Sequence, residues 1–302
     1  MTEIIKVDPT EEIFSVTWEL TSYCNYSCSY CPPELHNKIN KFHSLTTLKN
    51  AWLNVLSQAR QTGHPIKVTF TGGEITTVRH FLPFVQWMRD NSDSIHSILV
   101  ITNGSASTKL YTKLSEYVDA ITFSTHSEFF NEDKFFESAL ALNQKMVRPK
   151  KSFHVNIMNE SWNQTRIEKY KQLLNEHQIS YSVNEINYNG LANPASTIIE
   201  KNNSISFVNH PNYNCRVTLD TGEEVFLHAN TLHNEKVDFW RGWTCEAGHT
   251  RIHIDSSLNV YSGVCRNDFL GSATNFRLLP PTICKRIRCT GCTDDLIIRK
   301  YK

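Results

Sequence analysis

The sequence lacks long apolar runs and lacks a secretory signal. Its longest apolar stretches are as short as residues 98–101, whereas a membrane-spanning helix needs about 20 apolar residues. The first residues, MTEIIKVDPTEE, contain neither the basic region nor the apolar region of a signal peptide. These absences predict a soluble, cytoplasmic protein with no membrane partner.

A strong net charge is also lacking. The 302 residues include 31 basic and 30 acidic side chains, which gives a formal net charge of +1. Proteins that grip duplex nucleic acid present a broad basic surface, so the balance argues against that class. A local basic groove, and with it a nucleic acid or peptide substrate, stays open. The nine cysteines suit metal ligands or reactive thiols, because disulfides are rare in a reducing cytoplasm.

Strand and helix patterns alternate along the first two thirds of the chain. The predicted strands are 13–20, 66–73, 97–104, 119–125, 152–159 and 179–186, and the predicted helices are 45–60, 79–90, 108–118, 131–146 and 165–178. Such alternation predicts an α/β fold, in which right-handed crossovers curl a parallel sheet into a full or partial barrel. Catalytic groups in such folds collect beyond the carboxyl ends of the strands.

The alternation stops near residue 190, and the remainder has a different character. Turn-forming residues are frequent in 191–212, which we predict to be a linker. Two β-hairpins are predicted beyond it, at 215–229 and 249–265. The chain is thus expected to have a first domain, residues 1–190, and a small, cysteine-rich C-terminal domain, residues 213–302.

Three cysteines follow the first predicted strand with the spacing Cys24-x3-Cys28-x2-Cys31. Soft thiolates in a short loop suit an iron–sulfur cluster. Because a cubane cluster has four irons, three thiolates leave one iron with an open coordination position, as reactive metal sites require. A structural zinc site with His36 as the fourth ligand is the alternative that these residues leave open.

With Tyr30 before its last cysteine, this loop resembles the signature of the radical S-adenosylmethionine (SAM) superfamily. The resemblance implies a partial (β/α)6 TIM-like barrel, a [4Fe–4S] cluster on the three cysteines, and SAM bound at the open iron. It also implies reductive cleavage of SAM and abstraction of a hydrogen atom from substrate. The electron then comes from an external reductant such as flavodoxin or ferredoxin.

Later strand ends carry motifs similar to those with which this superfamily binds SAM. Gly72-Gly73-Glu74 resembles the motif that holds the methionine amino group, and its glycines let backbone approach a ligand closely. Thr102-Asn103 resembles the motif on the following strand. Singly, polar strand-end residues are as often loop or cap residues, but the motifs occur in the order of the family. The resemblance implies further SAM contacts from Ser124, His126, Asn156 and Met158.

A second set of cysteines lies near the C-terminal end: Cys245, Cys265, Cys284, Cys289 and Cys292. By itself, a hairpin followed by a C-x2-C pair suits structural zinc or an iron–sulfur cluster. Downstream of the first motif, the set resembles the twitch or SPASM type of radical SAM enzyme. That resemblance implies an auxiliary [4Fe–4S] cluster on Cys245, Cys265, Cys289 and Cys292, with Cys284 as a possible replacement for one of them.

The resemblance favours dehydrogenation of a small metabolite, with the auxiliary cluster accepting an electron. A redox-neutral epimerase or isomerase is the alternative, with Cys215 or Cys284 as hydrogen-atom donor. Modification of a peptide or nucleotide is a further alternative. A substrate pocket at the strand ends is expected to draw on His126, Glu185, Tyr188 and Arg216.

Metal content separates these enzymes from a non-enzymatic alternative, a zinc-ribbon binding module on an α/β scaffold. We expect anaerobically prepared protein to be brown and to contain iron and sulfide for about two cubane clusters. Iron, sulfide and zinc analysis, together with the visible absorption spectrum, checks this. Colourless protein that contains zinc would contradict the iron–sulfur assignment.

Overall fold

The computed structural model describes residues 2–36, 38, 42–159, 162–186, 205–289 and 293–302. In chain order its strands are β1 (Ile4–Pro9), β2 (Phe14–Thr21), β3 (Ile66–Gly72), β4 (Ile95–Thr102), β5 (Ala120–Thr125), β6 (Ser152–Asn159), β7 (Ser180–Glu185), β8 (Cys215–Leu219), β9 (Glu224–Leu227), β10 (Thr244–Cys245), β11 (Arg251–Ile254), β12 (Asn259–Tyr261), β13 (Phe269–Ser272), β14 (Thr282–Ile283) and β15 (Lys300–Tyr301). Its α-helices are α1 (Leu45–Ala59), α2 (Phe81–Asp90), α3 (Thr108–Leu114), α4 (Glu132–Met146), α5 (Gln164–Glu176), α6 (Ala229–Asn234) and α7 (Thr293–Leu296). The predicted α/β class is confirmed.

Strands β2 to β7 form a parallel sheet in which each strand pairs with the next along the chain. The six predicted strands are therefore confirmed, with ends that shift by one or two residues. Because the strands run in one direction, their carboxyl ends meet at one edge of the sheet. Within the described residues the sheet is open, since β7 ends it on one side and no strand pairs back to close a barrel.

Helices α1 to α5 lie where the sequence predicts them, except that α3 ends at Leu114 rather than at 118, and they pack on one face of this sheet. Trp18 of β2 is fully buried, and its ring centre lies 5.8 Å from that of Phe70 in β3 and 5.6 Å from that of Phe84 in α2. Side chains alternate along a strand, so Thr69 and Thr71 face the opposite side. That side carries mostly polar groups and is left to form cavities. None of the described helices is long and apolar enough to cross a membrane.

A second sheet has the strand order β14-β10-β15-β1-β8-β9. Both predicted hairpins are confirmed, as the antiparallel pairs β8–β9 and β11–β12. Strand β1, from the predicted first domain, lies in this second sheet, whereas β11 pairs in parallel with β2 and adds β12 and β13 to the first sheet. The two sheets thus exchange strands across the predicted boundary at 191–212. The hydrophobic pattern identifies strands, but their partners depend on the whole fold.

A buried ion pair fastens the exchanged strand β11. Arg251 is 1% exposed, and its Nε lies 2.9 Å from Oδ1 of Asp295 in α7. The same guanidinium donates hydrogen bonds to the hydroxyls of Ser15 (2.9 Å) and Thr17 (2.7 Å) on β2. One side chain therefore joins β11, β2 and α7 and compensates the buried carboxylate.

Replacing Arg251 with alanine tests this junction. We expect Arg251→Ala to lower the free energy of unfolding by about 3–5 kcal/mol, because Asp295 is left buried without its partner. Urea denaturation measures the difference. Arg216→Ala is the matched control, since Arg216 is 37% exposed and makes only 3.4 Å contacts, so its loss should cost far less. Equal losses for the two variants would contradict the structural role of Arg251.

Candidate active site

A cavity of about 400 Å³ lies beyond the carboxyl ends of the parallel strands. The predicted residues that line it are Cys24, Cys28, Cys31, Gly72, Gly73, Thr102, Asn103, Ser124, His126, Asn156 and Met158. The strand register explains part of this gathering, because Ser124 lies opposite Asn156 and Met158 opposite Asn184. The structure therefore brings the cysteine loop and the polar strand ends together. Of the residues predicted to bind SAM, Glu74 alone lies outside the lining.

A second cavity, of about 490 Å³, lies at the amino ends of the same strands. Three of its charged residues compensate one another, since Asp294 lies 2.8 Å from the ammonium of Lys67 and 3.6 Å from the guanidinium of Arg251. Although this cavity is larger, the motifs singled out in the sequence lie at the other end of the sheet. We therefore assign the candidate site to the cavity with the cysteines.

The cysteine loop, residues 22–36, is shaped by its own backbone and by Lys38. The N–H of Cys31 donates to the carbonyl of Cys28 (3.0 Å), which makes a tight turn between these cysteines. The Lys38 ammonium donates to the carbonyls of Cys24 (2.8 Å) and Tyr26 (2.7 Å). Cys28 is buried, and Cys24 and Cys31 are half-buried. The loop thus holds its three thiols at the cavity rather than in bulk solvent.

The thiols in this loop resist ionisation. Burial raises the pKa of Cys28 to about 12. Burial also raises the pKa of Cys24, against the effect of the Tyr26 N–H that points at its sulfur. Metal ligation by thiolate must displace these protons, so cluster insertion is coupled to proton release.

His36, the ligand that a structural zinc site would need, uses one of its ring nitrogens in a contact with the cysteine loop. Its Nε2 lies 3.0 Å from the carbonyl oxygen of Cys31. Within the residues that the structure describes, no three or more His, Cys, Asp or Glu side chains form a group that could hold a metal ion. A cubane cluster places its cysteine ligands on separate irons, whereas a zinc ion requires four donors that converge on one point.

Two glycines let the cysteine loop pack against the end of β3. The N–H of Gly73 donates to the carbonyl of Thr21, and the N–H of Glu74 donates to that of Tyr23, both at 2.7 Å. A β-carbon on Gly73 would lie 2.1 Å from the Tyr23 oxygen, and one on Gly72 would lie 2.3 Å from the Thr21 oxygen. Side chains at positions 72 and 73 would push the loop away. The Gly-Gly pair is therefore required for the close packing of this backbone against that of Thr21 and Tyr23.

Glu74 is fully buried, and its carboxylate is occupied by protein donors. It accepts hydrogen bonds from the N–H and hydroxyl of Thr76 (2.9 and 2.5 Å), the hydroxyl of Thr102 (2.7 Å) and the N–H of Asn103 (2.7 Å). Burial raises the pKa of this carboxyl, while these bonds oppose the shift. The sequence predicts that Glu74 contacts SAM, whereas the structure places its carboxylate behind the cavity, where it joins the ends of β3 and β4.

Three cysteines of the second set are neighbours beside the second sheet. Cys245 ends β10, and Cys284 follows β14, the strand that pairs with β10. The N–H of Cys284 donates to the carbonyl of Trp243 (2.8 Å). Burial raises the pKa of Cys265 to about 12, and the charges of Asp295, Cys245 and Cys284 add to the shift. Cys284 packs against the small apolar cluster that contains Cys245.

The other cysteines of the second set, and two residues expected at the substrate pocket, are described only in part. Cys289 is buried in the apolar cluster of the second sheet. Cys292 lies outside the described residues, as do Tyr188 and the side chain of Glu185. The C-x2-C pair in the prediction is therefore described only at its first cysteine.

Cys215 and Arg216, which the sequence suggests for contact with substrate, do not line the candidate cavity. Cys215 is fully buried among apolar side chains, and its thiol donates to the Leu227 carbonyl (3.3 Å). Arg216 pairs with Asp8 and Glu224, both at 3.4 Å. Both residues lie on β8, which belongs to the second sheet, so their contact with substrate stays a prediction.

Several lining residues were not predicted: Tyr26, Thr71, Ile101, Asn184 and Ile186. Alternation along β3 and β4 is the signal that would have found two of them, because it places Thr71 and Ile101 on the face that the helices leave free. Ile101 is 37% exposed, as expected for an apolar side chain in an open cavity. Tyr26 lies between two cysteines, and its position depends on contacts that are distant in sequence.

Comparison with known proteins gives partial matches. No protein-family model matches the chain. GTP 3',8-cyclase of Pasteurella multocida is 36% identical over 85 residues, which are 28% of this chain and 24% of that protein. GTP 3',8-cyclase of Haemophilus influenzae is 31% identical over 99 residues, 32% of this chain and 28% of that protein. The chain thus matches only about a quarter of the length of these curated relatives.

Among solved structures, native anSMEcpe with bound AdoMet is similar with a TM-score of 0.54 and 16% sequence identity. The similarity covers 87% of this chain and 78% of that one, and at this identity it concerns the fold. The sequence relatives and the shared fold support the radical SAM superfamily as the class to which the chain is similar.

Replacing Glu74 with glutamine tests its role in the fold. Because a backbone N–H points at each carboxylate oxygen, the amide NH2 of glutamine would face a donor in either orientation. We expect Glu74→Gln to lower the free energy of unfolding by about 1–3 kcal/mol, the cost of an unsatisfied buried donor. Denaturant unfolding measures it, with Glu116→Gln, an exposed glutamate, as the control that should change little. If the Glu74 variant unfolds with the same free energy as the wild type, the carboxylate does not stabilise the fold.

Proposed function

We propose that this chain is a radical SAM enzyme that acts on a small molecule. One observation carries the proposal: the three cysteines and the polar ends of the following strands line the same cavity. The residues that meet there come from distant parts of the chain, and along the sequence they follow the order of the superfamily's motifs. The proposal includes a partial barrel, in which the six parallel strands curl around the cavity and leave it open at β7.

The donor set at the cavity fits a [4Fe–4S] cluster with one open iron. Cys24, Cys28 and Cys31 supply three soft ligands, and no other described cysteine lines the cavity. Three thiolates on a four-iron cluster leave one iron for a ligand that is not a protein group. When bound, the cluster and SAM together supply the means to remove a hydrogen atom from an unactivated C–H bond.

The residues around the cysteines have separable tasks in this proposal. The Gly72-Gly73 backbone, which allows close approach, holds the amino-acid part of SAM. Asn103 and Ser124 offer polar groups to its carboxylate and ribose, and Asn156 and Met158 contact its ribose and adenine. The cavity excludes bulk water from the reacting groups and orients substrate, since the cofactor carries the chemistry and the protein positions it.

A second cluster on the C-terminal cysteines belongs to the same proposal, as in twitch or SPASM enzymes. The mutual proximity of Cys245, Cys265 and Cys284 supports it, with Cys289 or Cys292 as further ligands. A cluster held there would supply an acceptor for the second electron that leaves the substrate, with a proton lost to solvent, so the net reaction would be a dehydrogenation. An external reductant such as flavodoxin or ferredoxin delivers the electron that starts each turnover.

A redox-neutral reaction on a nucleotide is the second candidate. The local sequence similarity to GTP 3',8-cyclases favours it, because ring formation needs no net oxidation of substrate. The two candidates differ in their electron balance. A product two electrons more oxidised than the substrate supports dehydrogenation, whereas unchanged oxidation state, or solvent deuterium in the product, supports the second candidate.

The triple variant Cys24→Ala, Cys28→Ala, Cys31→Ala tests the proposal directly. We expect it to lose one cluster's equivalent of iron and all cleavage of SAM under reducing conditions. The matched control is Cys215→Ala, which removes a buried cysteine outside both groups and should keep both properties. Iron analysis and chromatographic detection of 5′-deoxyadenosine provide the readouts. SAM cleavage by the triple variant would refute the assignment.

A further inference from the structure

The segment that follows β5, residues 126–129, grips the cysteine loop at positions between the cysteines. Glu128 makes the firmest contact. One of its carboxylate oxygens accepts a hydrogen bond from the N–H of Ser29 (2.7 Å), and the other accepts one from the Ser29 hydroxyl. Ser29 directly follows Cys28, so a carboxylate from another strand end holds the backbone between two proposed cluster ligands.

Two aromatic contacts reinforce the grip. The hydroxyl of Tyr30 lies 2.6 Å from Nδ1 of His126, and the two rings stack with centres 6.0 Å apart. Burial lowers the pKa of His126 to about 4, so at neutral pH this contact joins a neutral imidazole to the tyrosine hydroxyl. Phe129 stacks on Tyr26 at 5.8 Å with an interplanar angle of 22°. Three of the five non-cysteine positions in the cysteine motif are thus matched by residues of one short segment.

We propose that residues 126–129 form a clamp, here called the β5 clamp, that holds the cysteine loop in its ligating shape, with Glu128 as the principal positioning residue. The inference rests on the proposed function, because it assigns the loop to a cluster. It goes beyond that function by giving a task to Glu128, a residue that neither lines the cavity nor belongs to the motifs of the sequence.

The placement of Glu128 has two separable consequences. Its hydrogen bonds restrain Ser29, which lowers the conformational entropy that the loop must lose when a cluster is inserted. Its negative charge lies against Ser29, the residue that directly follows Cys28, so it is next to a proposed cluster ligand in the chain. A negative charge near a cluster disfavours reduction, because potentials of iron–sulfur clusters depend on local charge and hydrogen bonds.

Hydrogen exchange on the full chain prepared without iron tests the restraint. We expect Glu128→Ala to accelerate exchange of the Ser29 amide by about 10- to 100-fold, the range for losing a hydrogen bond to a charged acceptor. Glu128→Gln should retain most of the protection, because the amide oxygen still accepts from the Ser29 N–H and its NH2 can donate to the hydroxyl. Glu116→Ala, at an exposed glutamate paired with Lys113, is the matched control and should leave this amide unchanged.

Redox titration of the reconstituted protein, followed by electron paramagnetic resonance, tests the charge. We expect Glu128→Gln to shift the midpoint potential of the first cluster in the positive direction, while Glu116→Gln leaves it unchanged. If Glu128 only supported the fold, the Glu128→Gln variant, which keeps the hydrogen bonds, would have the wild-type midpoint potential. Glu128→Ala should also lose iron to a chelator several-fold faster than the wild type.

The outcomes separate this inference from the proposed function. Wild-type exchange of the Ser29 amide in Glu128→Ala overturns the clamp, and a wild-type potential in Glu128→Gln overturns the effect of charge. A wild-type chain that binds no iron would instead defeat the proposed function, while the exchange measurement on the iron-free chain would still decide whether the β5 clamp exists.

Discussion

The buried carboxylate of Glu74 is the contact on which the candidate site depends. It draws the hydroxyl of Thr102 and the N–H of Asn103 toward the end of β3, so the carboxyl ends of β3 and β4 are fixed relative to each other. Its own N–H reaches the Tyr23 carbonyl in the cysteine loop. Three strand ends therefore converge on one residue, and the low dielectric of its surroundings makes each of these hydrogen bonds costly to break.

The cysteine loop has little regular structure of its own and takes its shape from its neighbours. The Gly-Gly pair meets it from β3, and Asn103 Nδ2 donates to Asn25 within the loop (2.9 Å). The β5 clamp contacts the loop from the end of the next strand, β5. Lys38, which follows the loop in the chain, donates a hydrogen bond back to the carbonyl of Cys24. Because the Gly-Gly pair, Asn103 and the β5 clamp come from three different strand ends, the loop depends on the order of strands in the parallel sheet. This dependence explains why the short cysteine motif can form the candidate cluster site only within this fold.

The second sheet is tied to the first by buried charges rather than by apolar contact alone. Arg251 joins β11 to β2 and α7, and the ammonium of Lys300, 2% exposed, donates to three carbonyls around the end of α7. Asp295, the partner of Arg251, also accepts from the N–H of Cys265 (3.0 Å). Cys265 is thus anchored to the same network that fixes the extra strands, so its position is coupled to that of the parallel sheet.

Local patterns in the sequence determined the strands and helices of the parallel sheet, the cysteine loop and the polar strand ends beyond it. Side-chain alternation and residue spacing encode these features, and both are properties of neighbouring residues. Tertiary structure alone decided that β1 joins the second sheet, that β11 joins the first, and that Cys215 and Arg216 lie away from the cavity. It also turned the Glu74 carboxylate inward and brought Glu128 to Ser29. Backbone hydrogen bonds between strands are nearly independent of side-chain identity, so a strand's partners, and the loops that meet because of them, follow from the packing of the whole chain.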